Sequence, residues 1–240
     1  LHQLQESKEL SDQHLLEYLK TSPYESVRLE AFLLLQQRHS DDFVSAIENA
    51  ADDNFELLQR FAVNALIKNG DPRLANTLAG KLCDVNTSAR VAFNALQGTQ
   101  FFSRQNLLPA VEDRLRQVAP YVVQPETYAK GVLKNAENYA GRWNEEIEKL
   151  CKGEMSHKRA LTQINFMRIY CPPYLLPQVA GYAATLKDDE LLLPLLEALG
   201  WHRQAYTSAQ VVPVVEKLMK DTSHSEQVRQ EALKTYKRLK

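Results

Sequence analysis

The chain has 240 residues, of which 44% are hydrophobic and 25% charged, with a formal net charge of −1. Those proportions are globular and exclude a disordered chain; no stretch approaches the roughly 18–20 consecutive apolar residues of a membrane span. Near-neutrality excludes strong whole-molecule attraction to nucleic acid or anionic lipid, although it leaves room for a local patch.

Helix signals then follow one another along the chain in seven pairs. The first, near 11–38, opens with the apolar spacing of Leu15-Leu-Glu-Tyr-Leu19. Its second helix is expected at Ser22-Pro-Tyr-Glu25, where Ser22 caps free N–H groups, Pro23 takes the first helical position and Glu25 completes a capping box. Val27, Ala31, Leu34 and Leu35 form its expected buried stripe. The second pair, near 40–68, starts at Ser40-Asp41 with Phe43-Val-Ser-Ala-Ile47, and the third, near 71–98, at Asp71-Pro72 with Leu74-Ala-Asn-Thr-Leu78. In that third pair Asn86-Thr87 supplies the cap between the helices.

The fourth pair, near 103–139, carries Leu107-Leu-Pro109-Ala-Val111. Between its two helices Tyr121-Val-Val-Gln-Pro125 has the residues of an extended run but, being isolated, reads better as a longer loop. The fifth, near 141–170, opens around Trp143. The sixth, near 172–201, follows Pro172-Pro173 and holds Leu175-Leu-Pro177-Gln-Val179. The seventh, near 207–239, holds Val211-Val-Pro213-Val-Val215, then Ser223-His-Ser-Glu226 opening a helix with Val228, Ala232, Tyr236 and Leu239 buried. Eight glycines are few for a sheet protein, which needs many tight turns.

Two elements recur. Ser22-x-x-Glu-x-Val27-Arg28-x-Glu-Ala31 reappears as Ser223-x-x-Glu-x-Val228-Arg229-x-Glu-Ala232, 201 residues on. That offset is six steps of about 33.5, within the range of helical repeats. The motif of two apolar residues, proline, any residue and valine appears at Pro109, Pro177 and Pro213, separated by 68 and 36 residues. The expected fold is therefore all-α, one domain over 1–240 made of about seven stacked helix pairs.

With its first-helix prolines Pro109, Pro177 and Pro213, its turn aspartates Asp53, Asp84, Asp189 and Asp221, and Val-Arg opening second helices at Val27-Arg28 and Val228-Arg229, the chain resembles HEAT-repeat proteins over nearly its whole length. Arg90 takes the matching place in the third pair. Phe93 stands there where Ala31 sits in the first, and Gln59 replaces Arg28 in the second. The resemblance implies a right-handed α-α superhelix, a HEAT-like solenoid, and commonly a scaffold or adaptor role.

The search for chemistry returns no Gly-rich phosphate loop, HExxH, CxxC or GxSxG motif. No catalytic residue, cofactor or metal is expected, and the chain is read as a non-enzyme. Cys83, Cys151 and Cys171 have no metal-ligand spacing and read as reduced core thiols, which favours a cytoplasmic setting. Cys151 and His157, six residues apart, evoke a nucleophile and base, yet a half-buried thiol and a helix-start histidine explain them better. The six histidines lie at or near expected helix ends and read as solvated or capping residues. The doublets Asp41-Asp42, Asp52-Asp53 and Asp188-Asp189 precede helices and read as caps. For Trp143 and Trp201, packing between repeats outweighs ligand stacking.

Function is then expected on the surface. The resemblance places second helices on the concave face, where Leu29, Leu33, Arg60, Asn64, Glu197, Gln230 and Lys234, with Val91, Ala95 and Leu193, make a candidate partner-binding row. It is mixed in charge, unlike the Lys/Arg stripe of a nucleic-acid groove, so an unknown protein partner is expected and nucleic acid is not. Leu29 and Leu33 are covered by Leu1–Leu10, by an upstream segment implied by the start at Leu1 rather than Met, or by a partner; alternatively they pack within a wider apolar face. Lys234, Lys237, Arg238 and Lys240 suit the C-terminal dipole of a capping helix, with a docking patch as the lesser reading. A non-catalytic scaffold or adaptor is the leading reading. An accessory region of a larger enzyme comes next, and a nucleic-acid-binding solenoid like HEAT-like DNA glycosylases third.

Overall fold

The computed structural model describes residues 10–38, 40–84, 86–118 and 125–240. Among them the chain is all-helical and contains no strand. Contacts group it into two compact units, Leu1–Asn135 and Ala136–Lys240.

Unit 1 holds α1 (Asp12–Thr21), α2 (Glu25–Arg38), α3 (Phe43–Ala51), α4 (Glu56–Asn69), α5 (Ala75–Cys83), α6 (Ala89–Gly98) and α7 (Arg104–Val118). They pair as α1 with α2, α3 with α4 and α5 with α6. First helices also pack on first helices (α1, α3, α5, α7) and second on second (α2, α4, α6), giving two layers around one apolar seam. Leu15, Leu19, Phe32, Ile47, Leu58, Leu66, Leu78 and Leu107 fill that seam.

The turn within each pair is built the same way. In the first, the Ser22 hydroxyl accepts the Tyr24 N–H at 3.3 Å. Thirty-one and sixty-two residues on, the Asp53 carboxylate accepts from Phe55 N at 2.8 Å and Asp84 from Asn86 N at 2.9 Å. Such side-chain turns satisfy backbone donors just ahead of a helix. Ser22 therefore belongs to the turn rather than to the expected helix cap, and Pro23 precedes α2 instead of occupying its first position.

The long helix α8 (Pro125–Cys151) runs across the boundary between the units. The break expected between pairs at 139 and 141 does not occur. No proline interrupts Ala136–Glu146, and about half of that segment consists of strong helix formers. Gly141 is exposed within the helix. Of the loop expected at Tyr121–Pro125, Pro125 instead opens α8 and the rest lies outside the described residues.

Unit 2 continues with α9 (His157–Tyr170), α10 (Leu176–Ala183), α11 (Asp189–Gly200), α12 (Ser208–Lys220) and α13 (Glu226–Leu239). Here α10 pairs with α11 and α12 with α13, while α9, α11 and α13 pack side by side and α10 lies on α12. Its core joins Ile147 and Leu150 of α8 to Ile164, Met167, Leu176, Leu192, Leu196, Val215, Val228 and Ala232. Asp188 takes the turn position expected of Asp189, accepting from Glu190 N at 3.0 Å, and Asp221 accepts from Ser223 N at 2.9 Å. Ser223 is thus a turn donor, and the cap of α13 is Ser225, which accepts from Val228 N. Pro109 and Pro213 fall inside α7 and α12 on the exposed side. There the carbonyl deprived of its partner faces solvent, so proline is tolerated.

Candidate partner-binding surface

The second helices are fixed in place by side chains that reach between pairs. Arg28, turned into the α2 core stripe, donates from Nε to Asp53 Oδ2 at 2.7 Å and from Nη2 to Oδ1 at 2.8 Å. Its Nη1 also holds the Ser22 carbonyl at 2.9 Å, so one guanidinium joins two successive turns. Gln59, 31 residues on, donates in the same way to the Asp53 carbonyl. Lys81 of α5, itself buried, reaches Asp52 at 2.9 Å. In unit 2, Thr235 donates to the Leu196 carbonyl at 2.8 Å, His202 Nε2 to the Met167 carbonyl at 2.5 Å and Thr207 to the Pro173 carbonyl at 2.5 Å.

These contacts fix which face of each helix is outside. The core stripe of α2 is Arg28, Ala31, Phe32 and Leu35, while Val27 and Leu34 are half-buried. The stripe is rotated from the expected one, so Leu29 and Leu33 lie on the flank of α2, both half-buried. On α4, Arg60 is half-buried with its Nε enclosed and lacking a hydrogen-bond partner, and Asn64 is exposed. In unit 2, Glu197 is half-buried and paired with Arg168 at 2.6 Å. Gln230 is exposed, as is Lys234, which pairs with Glu231 at 3.0 Å. The candidate row is therefore gathered in two groups, Leu29, Leu33, Arg60 and Asn64 in unit 1, and Glu197, Gln230 and Lys234 in unit 2.

Val91 and Ala95 do not belong to the row: both are fully buried. The expected register placed Phe93 at the core position, whereas Phe93 is 59% exposed. A one-residue misalignment turns a helix face by about 100°, and Phe93 lies about 200° from Val91. Other outward apolar residues escaped the sequence reading altogether: Leu57 and Phe61 on α4, and Phe166, Ile169 and Tyr170 on α9. Trp143 packs against the unit 2 core as expected, but Trp201 is 63% exposed rather than wedged between repeats. The signal that could have found these residues is local: each stands on the far side of its helix from the alanines and leucines that mark the core.

The titratable groups have structural surroundings. Burial pushes the Cys151 and Cys171 thiols up, away from the reactive thiolate. His157 faces Asp188 at 3.4 Å and Glu190 at 3.2 Å. Asp189 accepts from Ser225 and His224, which hold its carboxyl below the usual range. Burial also raises the Tyr174 hydroxyl, to about 12. Among the described residues no group of three or more His, Cys, Asp or Glu side chains is placed to hold a metal ion, and no helix is long and apolar enough to cross a membrane.

Set against known proteins, the chain matches no family profile and no curated sequence.

Proposed function

We propose that this chain is a non-catalytic protein-binding scaffold or adaptor, built as a HEAT-like right-handed α-α solenoid and binding through the outward faces of its second helices. One observation carries the reading. Of nine large hydrophobic side chains exposed among the described residues, six lie on second helices: Leu57, Phe61, Phe93, Phe166, Ile169 and Tyr170. Tyr24 and Trp201 flank second helices, leaving Tyr18 alone on a first helix. Scattered surface apolar residues are ordinary, but their concentration on the second helices of each unit marks an interaction face. Helices packed first on first and second on second, with turns recurring every 31 residues in unit 1, support the repeat architecture.

The test is affinity capture from lysate of the native organism, with and without nuclease, using the wild-type chain and a Leu57→Ser/Phe61→Ser/Phe93→Ser variant. Exposed positions tolerate such changes at small cost to stability, so circular dichroism should be unchanged. A stoichiometric protein that survives nuclease and is weakened by the variant is expected. Retention that vanishes with nuclease, or capture indifferent to the second-helix face, would refute the proposal.

A further inference from the structure

At the C-terminal ends of α9, α11 and α13 lies a patch whose composition differs from the rest of the outward layer. Phe166 and Tyr170, one helical turn apart on α9, have ring centroids 6.4 Å apart, and Ile169 beside them is 69% exposed. Trp201 closes α11 next to His202, whose ring is bonded to the carbonyl of Met167, between Phe166 and Ile169 in sequence. That bond holds the end of α11 against the end of α9. On the other side, Arg238 of α13 lies over Gly200: a Cβ placed there would come within 3.2 Å of Arg238 Cδ. The three helix ends are thus joined, with Arg238 over the last residue of α11 and Trp201 and Arg203, both exposed, in the turn that follows it.

The charges have a definite balance. Arg203 and Arg238 have no ion-pair partner among the described residues, whereas the nearby carboxylates are engaged, Glu197 with Arg168 and Glu231 with Lys234. The patch is thus aromatic, net positive and open. Tryptophan, tyrosine and arginine are the residue types that dominate binding hot spots between proteins. A nucleic-acid track would need a longer run of cations following successive phosphates, while here carboxylates interrupt the surface.

We infer that the ends of α9, α11 and α13 form a docking surface for an acidic protein segment that also carries apolar side chains. Phe166, Ile169, Tyr170 and Trp201 receive the apolar side chains, and Arg203 and Arg238 receive the carboxylates. The inference rests on the scaffold reading and gives one face of it a partner chemistry.

The experiment is selection of a phage-displayed random 16-residue peptide library on the whole chain, followed by anisotropy titration of the enriched peptides. Each is measured against wild type, Trp201→Ala and Arg203→Glu/Arg238→Glu, with circular dichroism confirming that the variants fold. Labelled oligothymidylate and phosphatidylserine vesicles are titrated in parallel. Enriched peptides should combine Asp or Glu with aromatic or aliphatic residues, and each variant should weaken them at least about tenfold. The inference is overturned if no peptide enriches, if the consensus is basic or uncharged, or if binding ignores Trp201. It is equally overturned if oligothymidylate or vesicles bind through Trp201 and peptides do not. A lysate partner retained by Trp201→Ala would remove this inference alone, whereas absence of any protein partner would remove the scaffold reading itself.

Discussion

The bond between Arg28 and Asp53 should couple the first two helix pairs of unit 1, and a double-mutant cycle measures it. Both side chains are about nine-tenths buried, at 9% and 10% exposure, and the contact is two-pronged at 2.7 and 2.8 Å. Removing one partner of a buried pair costs about 3–5 kcal/mol, because the other charge is stranded. Here the stranded Arg28 would keep the Ser22 carbonyl and the Asn54 side-chain oxygen, both at 2.9 Å. Asp53→Ser therefore belongs at the low end, about 3 kcal/mol. Serine is chosen because Ser22 performs the same turn in the first pair, so the bond to the Phe55 N–H can survive. Arg28→Met should cost about 4 kcal/mol, since Asp53 keeps only Phe55 N among the bonds that define its site. The double variant strands no charge, so it should cost about as much as one single change and leave a coupling of roughly 3–4 kcal/mol. Urea unfolding followed by far-UV circular dichroism gives all four corners. Tryptophan fluorescence provides a control, because both tryptophans, Trp143 and Trp201, belong to unit 2. A coupling below about 0.5 kcal/mol, the range of an exposed pair, would refute the reasoning.

Two further outcomes are expected. His202 donates from Nε2 to the Met167 carbonyl, and burial pushes its pKa below the ordinary 6.5, so the folded state favours the neutral ring. The unfolded chain then binds the proton first, and stability is lost as pH falls below about 6.5, by at most about 1.4 kcal/mol per pH unit. The loss levels off below the folded pKa, and His202→Gln, which keeps an amide donor, should flatten this part of a melting-temperature series between pH 7.5 and 5; parallel curves for the two proteins would contradict it. Gly98→Ala should destabilise unit 1 although alanine favours helix by about 1 kcal/mol, because the new Cβ would sit 2.7 Å from Ile67 Cγ1 and 3.3 Å from Leu78 Cδ1. Overpacking of that kind costs about 1–3 kcal/mol, and adding Ile67→Ala should recover part of it. A more stable Gly98→Ala, by urea midpoint, would show that the neighbours yield.

The helical class and most of the pairing could be read from the sequence because the signals were local. Apolar residues at helical spacing, with Ser, Asp and Pro between them, place α1 to α7 and α10 to α13 close to where they occur. The failures arose where a local signal permits two geometries. Ser22 and Ser223 look like helix caps because serine satisfies free N–H groups in both a cap and a turn. Only the position of the helix start, two or three residues later, separates the two. The break expected near 140 rested on repeat length rather than on a stop signal, and nothing in Ala136–Glu146 forces α8 to end.

The surface was harder to read than the core for a geometric reason. A core stripe spans several positions and survives a small misalignment, whereas a surface row spaced by 3.6 residues turns by about 100° with each residue of error. Aligning Arg90 with Arg28 put Val91 and Ala95 outside; aligning Val91 with Arg28 instead puts Phe32 with Ala95 and Leu35 with Gly98, all four of these hydrophobic or small positions being buried. Arg28 explains why the first register misleads. It is a charged residue at a core position, tolerated because Asp53 meets it there, so matching arginine to arginine aligns a buried clamp with an exposed side chain. Phe93 shows the converse, an aromatic residue assigned inward by the same arginine alignment although Val91, Ala95 and Gly98 already complete the inner face of α6. Residues that break the apolar-in, polar-out pattern, Arg28 inside and Phe93 and Trp201 outside, are thus the ones that sequence periodicity misplaces. Arg28 is also the residue that joins two successive turns, and Phe93 and Trp201 are the ones that the proposed partner faces use.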